Sequence, residues 1–520
     1  MQPTKMICRI TQKGLVFDWN EFQTHVGAAS ARRFLSTAKF SKTHKMGDRY
    51  QTRESCFYKI IAIPSEKRTV LVLARFMLDA VIDLIKTARA ARDLQPEWTA
   101  KNQITQGDAI DPERLEPGPT LDSNQQAACD YLMDTVYTKA RIARGSASCT
   151  LVMAPGAGKS YMAAALVGQL GRKTLFIAPT DAVMDETRKA LAASYPTLNI
   201  GEYTSRRKAD GDVVLMIINS ALSNEFKFGT NTVKYYDYFA KFGVVIFDEI
   251  HNYTSEVRQE IFWRTNFMYG LGLTATPSEN RWEMDIVFQK HVGPLIIDTN
   301  IPGYNMKQID WKAKLFPIEY SGPASHIDVK RNAATGWTSY IDMIKQFNDD
   351  PYRTQLLLQL VTDIWERGRN AFVFLVSRDY VTELSKRFLD MIKTNITSET
   401  SDDAVILMGG VSGAELEYAR KASIIFTTYS FSWQGISIPK MDTIVLADPR
   451  ISKMKQILGR GFRKGGDVSI IREIYDMVDI ETALGKKEHK ERMKFYNTIT
   501  SFQIEFMPAM IRKWSDISLQ

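Results

Sequence analysis

The chain has 520 residues, 44% of them hydrophobic and 24% charged, with 67 Lys+Arg against 59 Asp+Glu for a formal charge of +8. That length suits about three domains, the composition is that of an ordinary soluble globular protein, and the mild basic excess is compatible with a nucleic-acid partner without establishing one. Cys8, Cys56, Cys129 and Cys149 form no C-x-x-C pair, no apolar run approaches a membrane span, and the first residues lack a signal-peptide core, which argues against a zinc or disulfide framework, a membrane and secretion and for a soluble, intracellular, reduced protein.

In chain order, residues 1–95 predict a small α+β accessory module. From Ala28 to Ile60, eight basic residues (Arg32, Arg33, Lys39, Lys42, Lys45, Arg49, Arg53, Lys59) face only Asp48 and Glu54, with Phe34, Phe40, Tyr50, Phe57 and Tyr58 interleaved. Basic side chains neutralise phosphates and aromatics stack on bases; the alternative is a solvated face over core aromatics. Strands are predicted at Tyr58–Ile63 and Thr69–Ala74, and a helix from Phe76 to Arg92. Residues 96–120 are polar, contain Pro96, Pro112, Pro117 and Pro119, and read as a linker.

Over 121–300 short apolar runs alternate with amphipathic stretches: CTLVM (149–153), TLFIA (174–178), VVLMII (213–218), VVIF (244–247) and YGLGLT (269–274). Continuous apolar strands between helices predict a parallel sheet covered on both faces, with functional residues at the carboxyl ends of its strands. Residues 301–350 read as a connecting region. A second sheet of the same plan is expected over 351–481, from AFVFLV (371–376), AVILM (404–408), SIIFTT (423–428), TIVLA (443–447) and SIIREIY (469–475), without a phosphate loop of its own. Residues 482–520 read as a basic helical extension.

Two segments carry the chemistry. LVMAPGAGKS (151–160) is an apolar strand, a glycine-rich turn and a Lys-Ser pair opening a helix. Gly156 and Gly158 let backbone N–H groups turn toward phosphates, Lys159 adds a cation, and the helix aims its positive end at them. Met153 departs from the usual first glycine of this loop. VVIFDEIH (244–251) ends a buried strand with Asp248 and Glu249, placed to reach a metal and an attacking water. One triphosphate site and a second sheet without one imply a site shared by two domains. QILGRGFR (456–463) then offers Arg460 and Arg463, one turn apart on a helix, as cations for the phosphoryl-transfer transition state. Standing alone, that segment would be a surface helix.

MAPGAGKS (153–160), DEIH (248–251), TATP (274–277), the SxQGISIP segment (432–439) and QILGRGFR (456–463) occur in the order and rough spacing of superfamily 2 helicases, which the stretch Leu121–Tyr475 resembles. The wording is most similar to the branch of the XPB-type DNA translocases, the phage UvsW helicase and the poxvirus transcript-release helicase. HVGPLI (291–296) and PYRTQLLLQLV (351–361) fit that branch too. The resemblance implies two RecA-like domains in tandem, ATP and Mg²⁺ as cofactors, and a phage or large DNA virus as a plausible source, with nucleus, cytoplasm or viral factory as the setting.

It also implies roles. Pro155, Gly156, Ala157, Gly158, Lys159 and Ser160 would cradle the phosphates, with Ser160 and Asp248 on Mg²⁺ and Glu249 on the water. Gln125, in LDSNQQAACDYL (121–132), would contact adenine unless it is a plain surface residue, and Gly435 would line the nucleotide site. Gln456, Arg460 and Arg463 would complete catalysis. His251, Thr274, Ala275 and Thr276 would couple nucleotide state to nucleic acid; otherwise the two threonines merely bond a turn. Pro179, Thr180, Arg206, Arg207, Ser377, Arg378, Thr427 and Thr428 would touch the backbone of the strand and position it without reading sequence; Arg206 and Arg207 equally suit a charged loop tip. Ser437 stands where this motif commonly has Asp, which alters coupling without touching the residues nearest the phosphates.

The expectation is an ATP-driven nucleic-acid motor that moves along and unwinds or remodels DNA in transcription, replication or repair. RNA is the alternative track, and displacement of a transcript or protein without strand separation the alternative output. A non-enzymatic scaffold is opposed by Lys159, Glu249, Arg460 and Arg463.

Overall fold

The computed structural model describes residues 6–11, 14–46, 49–92, 98–154, 157–265, 267–277, 284–304, 311–327, 339–395, 403–408, 417–429, 438–450, 454–462, 466–499 and 502–519. The chain divides into two compact units, Met1–Asn305 and Met306–Gln520. Each carries the parallel-sheet α/β architecture expected of a RecA-like domain.

In the first unit an eight-stranded sheet runs, edge to edge, Lys208–Ala209, Ile200–Tyr203, Val213–Ile217, Thr174–Ala178, Val244–Phe247, Tyr269–Thr274, Ser148–Val152 and Leu295–Ile297. All neighbours are parallel except the short first strand. The five strands read from apolar runs are here, because a strand covered on both faces needs apolar residues at consecutive positions. The two edge strands and Ile200–Tyr203, next to one edge, lacked that signature. One face is packed by a cluster that includes Cys149, Leu151, Met162, Leu166 and Val213. The other face shares a single core with the N-terminal module, from Cys8, Phe17 and Leu71 to Val245, Phe247 and Phe288.

That module is a five-stranded sheet in the order Tyr58–Ile63, Arg68–Leu73, Gly14–Asp18, Met6–Thr11 and Trp98–Asn102. It carries helices at Trp19–Val26, Ala28–Thr37 and Leu78–Ala90. Trp98–Asn102, within the stretch expected to be a linker, pairs in parallel with Met6–Thr11. A separate antiparallel ribbon, Lys39–Met46 with Arg49–Cys56, stands off the sheet.

The second unit orders its parallel strands Ala404–Leu407, Ile424–Thr428, Ala371–Leu375, Thr443–Leu446, Arg472–Asp479, Lys312–Ser321 and Gln503–Phe506, with Met510–Lys513 also on the Lys312–Ser321 strand. Lys312–Ser321 lies in the region expected to be a connection. The extension expected to be helical holds a helix at Ala483–Thr498 and then the two short strands, since the open edge of Lys312–Ser321 offers them hydrogen-bond partners. No helix among the described residues is long and apolar enough to cross a membrane.

Candidate nucleotide site

Parallel pairing brings the functional residues of the first unit to one edge of its sheet. Thr274 pairs with Val152, and Phe247 with both Gly272 and Ile177, so the phosphate loop, the acidic pair and the TATP turn leave adjacent strands at the same end. The Met153 N–H donates to the Thr274 carbonyl at 3.0 Å, tying two of these exits together.

Ala157, Gly158, Lys159 and Ser160 are described; Pro155 and Gly156 lie outside the described residues. Gly158 has φ +75°, and a Cβ there would meet the Gln125 Nε2 atom at 2.0 Å. The left-handed backbone requires glycine, and any side chain would also displace the Gln125 amide. The helix Lys159–Leu170 begins directly after it. Lys159 and Ser160 are half-buried at its first turn, where unpaired N–H groups favour an anion.

Gln125 contacts the loop. Its Nε2 donates to the Ala157 carbonyl at 3.3 Å, while its Oε1 accepts the Asp122 N–H at 3.0 Å in a capping box that opens the helix Ser123–Thr135. Its amide is therefore bonded within the chain, on the loop rather than beyond it.

Asp248 and Glu249 follow the strand Val244–Phe247. Asp248 Oδ1 accepts the Glu249 N–H at 2.9 Å. Burial pushes the Asp248 carboxyl well above the usual carboxylate range, the Glu249 carboxylate adds to the rise, and Lys159 opposes it. Glu249 holds a left-handed backbone, φ +46° and ψ +50°, costly for a residue with a side chain. Its Oε2 is buried without a hydrogen-bond partner among the described residues. His251 Nδ1 lies 3.4 Å from that oxygen but bonds Thr274 Oγ1 at 2.8 Å. Tyr253 braces the turn, its hydroxyl donating to the carbonyls of Asp248 at 2.7 Å and Ile177 at 3.0 Å. Two crowded carboxyls beside a lysine, one with an orphaned oxygen, fit a divalent cation and a polarised water.

The residues expected to couple nucleotide and nucleic acid cluster as well. Thr274, Ala275 and Thr276 are buried, and Thr274 Oγ1 also accepts the Thr276 N–H at 3.1 Å. Pro179 and Thr180 follow the strand Thr174–Ala178 at the same sheet edge, and Thr180 Oγ1 has no hydrogen-bond partner among the described residues. Arg206 and Arg207 are exposed in a turn whose N–H groups bond Thr204 Oγ1. Arg207 reaches Glu202 at 3.4 Å.

In the second unit, Ser377 and Arg378 leave the strand Ala371–Leu375. Ser377 Oγ accepts the Tyr380 N–H at 3.4 Å, and Arg378 is exposed. Thr427 and Thr428 are buried, and the Thr427 hydroxyl donates to the Leu407 carbonyl at 2.6 Å. Arg460 is buried but does not lie on a helix: Met454–Leu458 ends before it, and the N–H groups of Arg460 and Gly461 bond the carbonyls of Ile457 and Leu458 in a tightened turn. Gly459 and Gly461 explain the stop. Arg463, Gly435, Ser437 and the Gln456 side chain lie outside the described residues.

Two aspartates escaped the sequence reading. Asp298, after Leu295–Ile297, accepts the Ala154 N–H of the phosphate loop at 3.1 Å. Asp448, after Thr443–Leu446, accepts the Val376 N–H at 2.7 Å, one residue before Ser377. The available signal was an aspartate within two residues of the end of an apolar run.

The family described as the type III restriction enzyme res subunit matches residues 119–279. An African swine fever virus protein from a Malawi tick isolate, provisionally named an ATP-dependent RNA helicase, is 30% identical over 369 residues, spanning 66% of this chain and 67% of the relative. A mimivirus protein with the same provisional name is 21% identical over 377 residues, spanning 70% of this chain and 68% of the relative. The variola virus transcript termination protein is 22% identical over 335 residues, spanning 61% and 62%. The solved structure of T4 UvsW aligns with 98% of this chain and 100% of that one at 14% identity and a TM-score of 0.35.

Proposed function

This chain belongs to the ATP-dependent helicases of superfamily 2, and from that premise we propose that it is a DNA-tracking motor driven by Mg²⁺-bound ATP. The observation that carries the reading is the acidic pair: Glu249 in a strained left-handed backbone with an orphaned buried oxygen, next to an Asp248 whose charge is resisted by burial. Such strain is retained at sites that use it.

Lys159 and the N–H groups of 156–160 hold the triphosphate, while Ser160 and Asp248 would hold the metal. The metal, when bound, neutralises phosphate charge. Glu249 orients the attacking water and takes its proton at Oε2. Gln456, Arg460 and Arg463 supply the second unit's share of catalysis, Gly435 lines the nucleotide, and Gln125 braces the phosphate loop through the Ala157 carbonyl. Hydrolysis of this kind rests on positioning and charge neutralisation. His251 and Thr274–Thr276 pass the nucleotide state to Pro179, Thr180, Arg206 and Arg207, which hold a strand's backbone. Ser377, Arg378, Thr427 and Thr428 do so from the second unit. Alternation between the two sets of contacts advances the chain along its track.

DNA is favoured by the basic N-terminal module. RNA is the second reading, favoured by the names of the two RNA-helicase relatives. The name of the variola relative points to transcription machinery as the partner. The test is steady-state ATP hydrolysis with single-stranded, duplex or forked DNA, or RNA, beside Lys159→Ala and Glu249→Gln. The expected result is DNA stimulation absent from both variants, with Glu249→Gln still binding ATP. Stimulation by RNA alone overturns the choice of track, and normal turnover in either variant overturns the site.

A further inference from the structure

Arg472 opens the strand Arg472–Asp479 of the second unit, and its side chain is fully buried. Taking a guanidinium out of water is costly unless a carboxylate meets it. Among the described residues this one bonds main-chain oxygens instead. Its Nε donates to the Gly461 carbonyl at 3.0 Å, and one terminal nitrogen donates to the carbonyls of Asp467 and Ile470, the latter at 2.6 Å. The nearby acids are engaged elsewhere. Asp442 pairs with Arg369 at 3.1 Å, and Asp467 Oδ1 accepts the N–H and the hydroxyl of Ser469.

Gly461 is the residue after Arg460, in the turn that follows the helix Met454–Leu458. Arg472 therefore holds that turn by its backbone. The guanidinium in turn lies 4.1 Å from the centre of the Trp311 ring, an attraction that fixes its plane. Trp311 meets Phe462 edge-on at 6.1 Å, and Phe462 stacks on Phe502 at 3.8 Å. Gly461 by its carbonyl and Phe462 by its ring are thus anchored to one platform. The approach to the helix is held too. The Asp448 carbonyl accepts the Tyr429 hydroxyl at 2.8 Å, the Pro449 carbonyl the Tyr340 hydroxyl at 2.9 Å, and the Arg450 carbonyl an Arg492 N–H at 3.4 Å.

Resting on the assignment of Arg460 to the transition state, we propose that Arg472 is the positioning residue for Arg460, acting through the Gly461 carbonyl and held against Trp311. A cation that meets developing charge is effective when it is in place before the reaction, and a shift of about 1 Å costs about 10²-fold in rate. Only a planar fork serves the carbonyl of Gly461 and those of Asp467 and Ile470 while lying flat on an indole. The buried charge is spent on the geometry of one turn.

The test uses the full chain with Arg472→Gln, Arg472→Lys, Arg460→Ala and the two Arg472 changes each combined with Arg460→Ala. Hydrolysis of radiolabelled ATP is followed, unstimulated and with nucleic acid, by steady-state and by single-turnover kinetics, which reads slow rates. Arg472→Gln should lower kcat about 10²-fold with KM for ATP changed less than about twofold, the pattern of an interaction made only in the transition state. Arg472→Lys, which keeps the charge over Trp311, should lose about tenfold, and it carries the test should the neutral variant not fold. On the Arg460→Ala background both changes should cost almost nothing more, since residues acting as a unit are not additive. An unchanged kcat, a loss carried by KM, or the same loss with and without Arg460 overturns the positioning role. Normal turnover in Arg460→Ala itself overturns the catalytic assignment on which it rests.

Discussion

Asp298 Oδ2 accepts the backbone N–H of Ala154 at 3.1 Å, so a carboxylate from the edge strand's exit holds the first turn of the phosphate loop. Its Oδ1 accepts the Thr299 N–H at 2.8 Å, and the residue is only 6% exposed. Asp298→Ala leaves the Ala154 N–H unpaired, at about 1–3 kcal/mol for such a group. The expected outcome is a KM for ATP raised roughly tenfold, with kcat changed less, since about 1.4 kcal/mol is one decade. Asp298→Asn keeps an acceptor and should recover much of the loss. A fall in kcat at constant KM would assign Asp298 to the chemical step instead.

Thr274 Oγ1 bonds both His251 Nδ1, at 2.8 Å, and the Thr276 N–H, at 3.1 Å. One hydroxyl therefore joins the acidic turn to the TATP turn. Thr274→Val keeps the shape and removes the hydroxyl. Stimulation of ATP hydrolysis by nucleic acid should fall roughly 2- to 30-fold, the span of about 0.5–2 kcal/mol carried by such links. Unstimulated turnover should hold. Equal loss in both rates would make Thr274 part of the catalytic site.

What was legible in the sequence follows from which interactions are local. Buried parallel strands such as Val244–Phe247 need apolar residues at every position, so their runs stand out, and Gly158-Lys159-Ser160 is read within one turn. Lys312–Ser321 mixes Lys312, Lys314, Pro317 and Glu319 with its core residues because it lies near an open edge, and it was read as a connection. Lys39–Met46 reads as a charge run, since its strand character is supplied by Arg49–Cys56 across the ladder. Asp298 and Asp448 were invisible for a related reason. Each acts on the strand beside it in sheet order, a neighbour that sequence spacing does not reveal.

His291 predicts an acid-labile seam between the N-terminal module and the ATP-binding sheet. Its ring is stacked on Phe262 and meets Trp263 and Phe57 edge-on. Burial, with Lys59 and Arg75 nearby, pulls its pKa down to about 3, although Glu260 is bonded to Lys59. The folded value is below the unfolded one of about 6.5, so the unfolded chain binds the proton first. The contribution is complete above about pH 6.5 and is lost as pH falls toward 3. By pH 5 the loss is about 2 kcal/mol, at 1.36 kcal/mol per unit. Urea midpoints at pH 7 and pH 5 measure it. His291→Phe should flatten the difference, and an unchanged pH dependence in that variant would place the titration elsewhere.

Arg353 is the buried centre of the second unit, and its removal should be felt as stability. It is 0% exposed, with Nε 2.7 Å from Asp479 Oδ1, a terminal nitrogen 3.0 Å from Asp479 Oδ2 and another 3.5 Å from Asp448 Oδ1. It also donates to the Ala447 carbonyl at 2.5 Å. Burial pushes the Asp448 carboxyl up while Arg353 opposes the rise. Asp448 in turn holds the Val376 N–H, so the arginine supports the strand exit that presents Ser377 and Arg378. Arg353→Met leaves two buried carboxylates without their cation, which costs about 3–5 kcal/mol. In a unit of this size that lowers Tm by roughly 10 °C. Arg353→Lys should recover only part, because an ammonium cannot serve Asp479 through two parallel bonds and still reach Asp448. Calorimetry on the three chains checks the order. A Met variant as stable as the parent would show that these carboxylates tolerate burial without the guanidinium.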